Sequence, residues 1–283
     1  MSAIVVQGYC PLKGEIEIQG SKNAALPMMA AALLHKGTTV LKYVPIIQDV
    51  FCMMGILESL GCVCSRNGHT LVIDAKHIKT ARIPRESGTA MRSSIVVLGA
   101  LLGRCMEGEA YYPGGCSIGS RPIDLHLTAL KHMGAEIGEN NEMIIARTRG
   151  LRGAEITLSY PSVGATENVI LAAVKAKGTT ILEGAAMEPE IDALCGLLCA
   201  MGADIKGIGT SRLAIQGTDE LHDTEYKVPG DRIVTGTYLS AVMAAGGEAA
   251  FRRGSPQHLG CVLNTMQNMG ADIRVTGDIK KKK

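Results

Sequence analysis

A glycine- and serine-rich stretch around one cysteine holds the residues best suited to chemistry. Cys116 lies in the run Pro113–His126, PGGCSIGSRPIDLH, and Arg121 follows it five residues later. Glycine loses more backbone entropy on ordering than other residues, so the stretch is expected to form a loop and not a helix or central strand. The thiolate is the reactive form of cysteine, and a nearby guanidinium lowers the pKa of a thiol. The loop therefore predicts a reactive Cys116, the alternative being a cysteine that is only a small buried hydrophobe.

Basic residues recur at the expected starts of helices. Good N-cap residues precede apolar helical patterns at Ser21, Ser162 and Asp231. The basic residues at or beside such starts are Lys22, Arg92 and Arg232. A helix N-terminus offers unpaired N–H groups and the positive end of a dipole, so it attracts anions and disfavours cations. Repeated cations there indicate anion binding, the alternative being basic residues that are merely exposed at the surface.

One unit recurs four times along the chain. The glycines that end a helical pattern and precede a strand-like one are Gly61, Gly134, Gly202 and Gly270, spaced by 73, 68 and 68 residues. A second series, Gly37, Gly108, Gly178 and Gly247, is predicted to end the first helix of each copy. Two markers with one period indicate an internal duplication. Each copy is expected to be a βαβαββ unit with helices packed inward and sheets outward.

Local patterns give the elements of each copy. The first helices are predicted at 24–35, 93–102, 168–177 and 235–245. Strands are predicted at 38–41, 142–146 and 179–182, and another is expected to follow each glycine of the first series. The fourth copy departs from the pattern at its end. Residues 278–283 read DIKKKK, and a lysine run lacks the alternation of a half-buried strand.

Composition restricts the class of protein. The 283 residues are 46% apolar and 3% aromatic with a net charge of +2, which suits one or two domains and argues against nucleic acid as a partner. Nine cysteines show no CxxC pair and no zinc-ligand spacing, so we expect no metal and a reducing compartment. The sequence shows neither a secretory signal nor a membrane span, and it predicts a soluble cytoplasmic protein.

Four segments together resemble the enolpyruvyl transferases. They are Ser21–Pro27, the cysteine loop, Ser162–Thr166 and Asp231–Arg232. The resemblance implies an α/β fold, an inside-out α/β barrel of repeated βαβαββ units, with four of the usual six units present. It also implies a complete three-unit domain over 21–229 and an incomplete second domain of 1–20 with 230–283. Hinges are expected at Gly20 and Pro229–Gly230.

The resemblance also implies a reaction. The enolpyruvyl group of phosphoenolpyruvate moves to the 3′-hydroxyl of UDP-N-acetylglucosamine and phosphate is released, without a cofactor, in the first committed step of peptidoglycan synthesis. Cys116 would act as general acid and covalent nucleophile, with Lys22 and Arg121 as catalytic cations. The residues expected to bind substrate are Asn23, Arg92, Pro122, Ile123, Asp124, Leu125, His126, Ser162, Val163, Gly164, Asp231 and Arg232. From its spacing alone, His126 would be an ordinary surface histidine.

Two function classes remain open at this stage. The first is the transferase. The second is a non-catalytic or truncated family member that binds UDP-sugar without turnover, since the two units that would carry the family's base and further cation clamps are not seen. We expect the chain as given to be a fragment or to have an altered C-terminus, and to bind the UDP-sugar weakly with negligible turnover. Its oligomeric state is not indicated.

Overall fold

The chain folds into two compact units of unequal size. The structure is a computed structural model that describes residues 10–114, 122–140 and 142–276 together with Val5 and Gly8. The short unit consists of Met1–Ser21 with Pro229–Lys283, and the long unit consists of Lys22–Val228. None of the described helices combines the length and hydropathy that a bilayer span requires.

The long unit alternates helices and strands. Its helices are α1 (Lys22–Ala31), α2 (Gln48–Leu60), α3 (Arg85–Ala90), α4 (Val97–Cys105), α5 (Asp124–His132), α6 (Val163–Ala173) and α7 (Pro189–Ala200). Two 3₁₀ segments, Ala32–Leu34 and Arg92–Val96, extend α1 and precede α4. The first strand of the chain, β1 (Leu12–Glu17), belongs to the short unit. The strands of the long unit are β2 (Thr38–Lys42), β3 (Val63–Asn67), β4 (Thr70–Asp74), β5 (Glu107–Tyr111), β6 (Glu136–Glu139), β7 (Met143–Arg147), β8 (Glu155–Thr157), β9 (Thr179–Glu183), β10 (Asp204–Lys206), β11 (Arg212–Gln216) and β12 (Thr224–Lys227).

The long unit places its most apolar helices inside and its sheets outside. From Ala24 to Ala31 every residue of α1 is buried, and the same holds for Val97–Leu102 of α4 and Ala165–Ala173 of α6. A helix that is apolar on all sides must be surrounded by other elements. The strands instead alternate, as in β4, where Leu71 and Ile73 are buried and their neighbours are half exposed. This confirms the inside-out arrangement predicted for the repeated unit.

Three sheets cover the long unit, one for each copy of the repeat. Their strand orders are β12-β2-β4-β3, β5-β7-β6 and β10-β11-β9-β8. In the third copy β8 runs parallel to β9, and α6 connects them as the crossover. In the first copy the equivalent strand is β12, which runs parallel to β2 although it ends the long unit. The first copy is thus completed by a strand from the end of the long unit.

The short unit is likewise completed by a strand that is distant in sequence. It contains β1, α8 (Arg232–Ala245), β13 (Gly247–Arg252), a 3₁₀ turn and α9 (Gly260–Asn268). The strand β1 runs parallel to β13, with Leu12 opposite Gly247, so the N-terminal strand leads the fourth copy. The segments that follow β1 and β12 lie side by side, because Gly20 and Gly230 form an antiparallel bridge.

The first series of repeat glycines ends helices as predicted. In the second copy the Gly134 N–H donates to the Lys131 carbonyl at 3.0 Å and the Ala135 N–H to the Leu130 carbonyl at 3.1 Å. This pair of bonds is the Schellman motif, which needs a left-handed residue, and Gly134 has φ of 91°. The same pair of bonds and a positive φ occur at Gly61, Gly202 and Gly270.

The prediction for the second glycine series was wrong. Gly108 lies inside β5, and the preceding helix α4 ends at Cys105, with Met106 as a C-cap residue in the left-handed conformation with φ of 61°. Gly247 likewise begins β13, and Gly246 caps α8. Close packing explains Gly108, since a Cβ there would approach Leu98 to 2.8 Å. Gly37 and Gly178 directly precede β2 and β9, so the glycines of this series lie at or next to strand starts.

Two further expectations about elements need correction. The helix predicted to reach residue 177 ends at Ala173, and Val174 is its C-cap residue. The strand expected after Gly270 does not form within the described residues, where 271–276 are irregular. In the other copies this strand pairs with the next one along the chain, and 271–276 have no such partner in the described chain. A strand without a neighbour leaves its backbone groups unpaired.

Candidate functional site

The first helices of the three copies in the long unit begin at the same end. Asn168, in the second turn of α6, bonds Ile95 and Gly99 near the start of the helical run that leads through α4. Further along, Lys175, just after α6, lies against Gly103 of α4, so the two helices run side by side in one direction. The helix α1 packs against Arg92–Val96, and the 3₁₀ segment that follows α1 packs against α4, where Leu34 lies beside Gly103. Three N-termini therefore lie at one end of the long unit, where their dipoles favour an anion.

The residue types at these three starts are those predicted. Lys22 is the first residue of α1, and Arg92 opens the 3₁₀ segment before α4. Ser162 caps α6 by accepting a hydrogen bond from the Ala165 N–H at 3.4 Å. Val163 and Gly164 form the first turn of α6, and all three of these residues are half-buried.

Arg92 connects one of these starts to the predicted binding segment 122–126. Its Nη2 donates a hydrogen bond to the Pro122 carbonyl at 3.2 Å. Pro122 and Asp124 are exposed, Leu125 is half-buried, and Ile123 is buried and precedes α5. The segment is therefore fixed to the helix start by its backbone, and it leaves the side chain of Asp124 at the surface.

His126 is buried, contrary to what its spacing indicated. Its residue exposure is 4%, and its ring lies over the first turn of α6. A Cβ at Gly164 would approach the ring to 2.9 Å at Cε1 and 3.2 Å at Nε2, so only glycine fits there without a shift. Burial, followed by the charge of Arg92, lowers the pKa of His126 to about 4, and Asp124 opposes this. The imidazole is therefore neutral near pH 7.

Lys22 and Asn23 lie at the start of α1. The Lys22 Nζ lies 3.1 Å from a carboxylate oxygen of Asp49, which is in the first turn of α2. Both side chains are substantially exposed, at 44% and 40%, so the pair is open to water and to a competing anion. Asn23 is exposed. An exposed ion pair of this kind is weak enough for a phosphate or carboxylate to replace Asp49.

The described part of the long unit does not include four of the predicted site residues. Cys116 and Arg121 lie outside the described residues. Asp231 and Arg232 lie in the short unit, where Asp231 caps α8 by accepting from the Ile233 N–H at 2.9 Å and the Val234 N–H at 3.2 Å. The cap confirms Asp231 as an N-cap residue. The assignment of these four residues to substrate stays a prediction.

Sequence reasoning missed Asn168. This residue is fully buried in α6, and its side chain contacts three separate parts of the long unit. The sequence did contain one signal, the Glu-Asn pair inside an apolar helix. Buried polar side chains are rare unless they are hydrogen-bonded, so this pair indicated a hydrogen-bonded residue in the core.

Metal binding and thiol reactivity depend on how the side chains of the described residues are grouped and buried. Within them, no group of three or more His, Cys, Asp or Glu side chains is placed to hold a metal ion. Burial raises the pKa of Cys62, Cys64 and Cys195 to about 12. Burial also raises the pKa values of Cys52, Cys105 and Cys199. These thiols are therefore poor nucleophiles near neutral pH.

Comparison with known proteins shows the family to which the chain belongs. The chain belongs to the EPSP synthase (3-phosphoshikimate 1-carboxyvinyltransferase) family, whose sequence model matches residues 6–283. Solved structures share its fold. The enolpyruvyl transferase NikO from Streptomyces tendae has a TM-score of 0.82 at 20% identity, covering 96% of this chain and 65% of that one. EPSP synthase from Acinetobacter baumannii has a TM-score of 0.71 at 22% identity, covering 93% and 60%.

Curated relatives share more of the sequence and carry one particular name. The chain is 43% identical over 281 residues to UDP-N-acetylglucosamine 1-carboxyvinyltransferase 2 of Caldanaerobacter subterraneus subsp. tengcongensis, covering 99% of this chain and 67% of the relative. It is 45% identical to UDP-N-acetylglucosamine 1-carboxyvinyltransferase of Cellvibrio japonicus, covering 98% and 66%. The chain thus spans about two thirds of the length of these relatives.

Proposed function

We propose that this chain is part of an enzyme that transfers the enolpyruvyl group of phosphoenolpyruvate to the 3′-hydroxyl of UDP-N-acetylglucosamine. The observation that carries the proposal is the run of relatives that bear the name of this transferase at 41–45% identity over nearly the whole chain. Solved structures of lower identity support only the fold. The choice of acceptor sugar therefore rests on the closer relatives.

The geometry of the long unit supports an anionic substrate. The starts of α1, α6 and the 92–105 helical run lie at one end, and Lys22 and Arg92 bring cations there. Both proposed substrates carry phosphate, and phosphoenolpyruvate also carries a carboxylate. Helix N-termini and guanidinium groups bind such oxygens with strong, charge-assisted hydrogen bonds. The segment 122–126, fixed by Arg92, would contact the UDP-sugar.

The proposed chemistry is an addition followed by an elimination. The Cys116 thiol gives a proton to the methylene carbon of phosphoenolpyruvate, and the sugar 3′-oxygen forms a bond to the adjacent carbon as its hydroxyl proton leaves to a base. Loss of a proton from the new methyl group then expels phosphate and restores the double bond. Lys22 and Arg121 would stabilise the charge on the phosphate and carboxylate. Cys116 is also the expected target of epoxide antibiotics that mimic phosphoenolpyruvate.

The proposed product indicates the biosynthetic pathway that the reaction would serve. Enolpyruvyl-UDP-N-acetylglucosamine would serve peptidoglycan synthesis, and through it cell shape, growth and division. The substrates are small and the reaction needs no cofactor in this proposal. We place it in the cytoplasm, where such nucleotide sugars are made.

Isothermal titration with UDP-N-acetylglucosamine tests the proposal at its binding step. The wild-type chain should bind saturably, and Arg92→Ala should weaken binding by about tenfold or more, the effect of losing one charge-assisted hydrogen bond. Arg212→Ala is the matched control, because Arg212 pairs with Glu183 on the outer sheet. Its affinity should equal that of the wild type. No saturable binding, or equal losses in both variants, would contradict the proposal.

A further inference from the structure

The side-chain amide of Asn168 occupies an unusual position between two helices. Its Oδ1 accepts a hydrogen bond from the Gly99 N–H at 2.6 Å, and its Nδ2 donates to the Ile95 carbonyl at 3.0 Å. Ile95 and Gly99 are an i, i+4 pair at the junction of the 3₁₀ segment and α4, and a regular helix would join these two groups directly. The side-chain amide of Asn168 thus lies between these two backbone groups and bonds to both of them.

These backbone partners fix which way the amide faces. A backbone N–H can only donate and a backbone carbonyl can only accept, so Oδ1 must face Gly99 and the NH₂ group must face Ile95. The same NH₂ group lies 2.9 Å from the Nδ1 atom of His126. A donor at Asn168 requires an acceptor at His126, so Nδ1 carries a lone pair. The neutral imidazole therefore carries its proton on Nε2.

The Nε2–H of His126 lies beside the first turn of α6. A Cβ placed on Gly164 would be 3.2 Å from Nε2, which locates this atom against the start of the helix. His126 as a residue is 4% exposed, and among the described residues none accepts a hydrogen bond from its Nε2. The Nε2 atom is not among the fully buried polar atoms that lack a partner, so it keeps some contact with solvent. A donor that water can reach at the edge of a buried ring can exchange that water for an acceptor atom of a ligand.

We propose that Asn168 is a positioning residue that holds His126 in the Nε2–H tautomer, so that this imidazole donates a hydrogen bond to an acceptor oxygen of the bound UDP-sugar. The inference rests on the proposed function for the identity of the ligand, whereas the tautomer follows from the protein alone. Each ring nitrogen of His126 then has its own hydrogen-bonding role. Nδ1 accepts from the protein, and Nε2 donates to the ligand.

Nuclear magnetic resonance of protein labelled with ¹⁵N-histidine tests both parts. Near pH 7, the wild-type spectrum should show His126 protonated on Nε2 only. Asn168→Asp keeps the shape of the side chain but replaces the donor by an acceptor, so the His126 proton should appear on Nδ1. Glu167→Gln is the matched control, because it makes the reverse exchange of carboxylate and amide one residue away in α6. It should leave the His126 spectrum unchanged.

The same samples are then titrated with UDP-N-acetylglucosamine. In the wild type, the Nε2–H resonance should shift on binding, and Asn168→Asp should weaken the affinity by about tenfold or more. A wild-type His126 that is protonated on Nδ1 would overturn the inference even if Asn168→Asp failed to fold. Binding that leaves Nε2–H unmoved would overturn its ligand contact while the proposed function stood. No binding by the wild type would contradict the proposed function and the ligand contact together, but not the tautomer.

Discussion

Glu167 and Asn168 are adjacent polar residues in the otherwise apolar helix α6, and their surroundings differ. The amide of Asn168 is bonded on every side, to Ile95, Gly99 and His126. Burial, followed by repulsion from Glu190 and Glu188, raises the pKa of Glu167 to about 8. Near pH 7 the Glu167 carboxyl therefore keeps its proton in the folded protein and loses it in the unfolded chain.

This shift makes stability depend on pH. The folded state holds the Glu167 proton up to about pH 8 and the unfolded chain only up to about 4.5, so the stabilisation is complete below 4.5 and is lost as the pH rises to 8. Glu167→Gln cannot ionise. From pH 6.5 to 8, its free energy of unfolding should fall less steeply than that of the wild type, by up to about 1.4 kcal/mol per pH unit. Urea unfolding at several pH values measures the difference.

Above pH 6.5, the titration of His126 does not contribute to the difference between the wild type and Glu167→Gln. His126 has a folded pKa of about 4 against an ordinary 6.5, so it disfavours folding only as the pH falls below 6.5. Glu86→Gln serves as control, because Glu86 is exposed on α3, and it should parallel the wild type. Equal pH slopes for the wild type and Glu167→Gln would show that Glu167 is ionised in the folded protein.

At the scale of residues, the sequence predicted the cap at Ser162 and the cations at the helix starts, but not the buried network. Asn168 acts through Ile95 and Gly99, which lie 73 and 69 positions earlier in the chain. No local pattern links positions so far apart. The burial of His126 arises in a similar way, because its ring packs against Gly164 at the start of α6.

At the scale of elements, the close approach of α4 and α6 depends on Gly99. A Cβ at this position would overlap the backbone oxygen and the Oδ1 of Asn168. Because backbone cannot rotate away as a side chain can, the two helices would have to move apart. Gly99 is thus required for packing, and its φ gives no separate reason for glycine.

Gly99→Ala should therefore destabilise the protein, although alanine normally stabilises a helix. We expect a loss of about 1–3 kcal/mol in the free energy of unfolding, the usual cost of overpacking a core. Gly55→Ala in α2 is the matched control, because a Cβ there has no atom within 4 Å. It should gain about 0.5–1 kcal/mol from the better helix propensity of alanine. Urea unfolding of both variants decides, and a Gly99→Ala protein as stable as Gly55→Ala would contradict this packing.

The two glycine series show what an element-scale pattern can and cannot predict. Gly134 and its equivalents end helices through bonds within about six residues, so local sequence was sufficient. Gly108 and Gly247 recur with the same period for another reason, because they lie in strands that pack closely against other parts of the copy. A shared period identified the repeat correctly, but it did not identify the role of each glycine.

At the scale of the whole chain, the copies are completed by strands from distant segments. The N-terminal strand β1 pairs with β13, and β12 pairs with β2. Periodicity reveals that copies exist, but a lone strand such as Thr224–Lys227 carries no signal of which copy it joins. The hinges predicted at Gly20 and Pro229–Gly230, and the predicted domains, stay predictions.

The central claim is that the helix starts of the long unit bind the UDP-sugar of an enolpyruvyl transferase. Hydrogen–deuterium exchange of the chain, with and without saturating UDP-N-acetylglucosamine, tests it most directly. Exchange should slow in peptides that cover the starts of α1 and α6, the 3₁₀ segment Arg92–Val96 and the segment 122–126. The β6–β7 hairpin, on the outer sheet of the second copy, should exchange at the same rate in both samples. Unchanged exchange at the helix starts, or protection confined to the outer sheets, would contradict the claim.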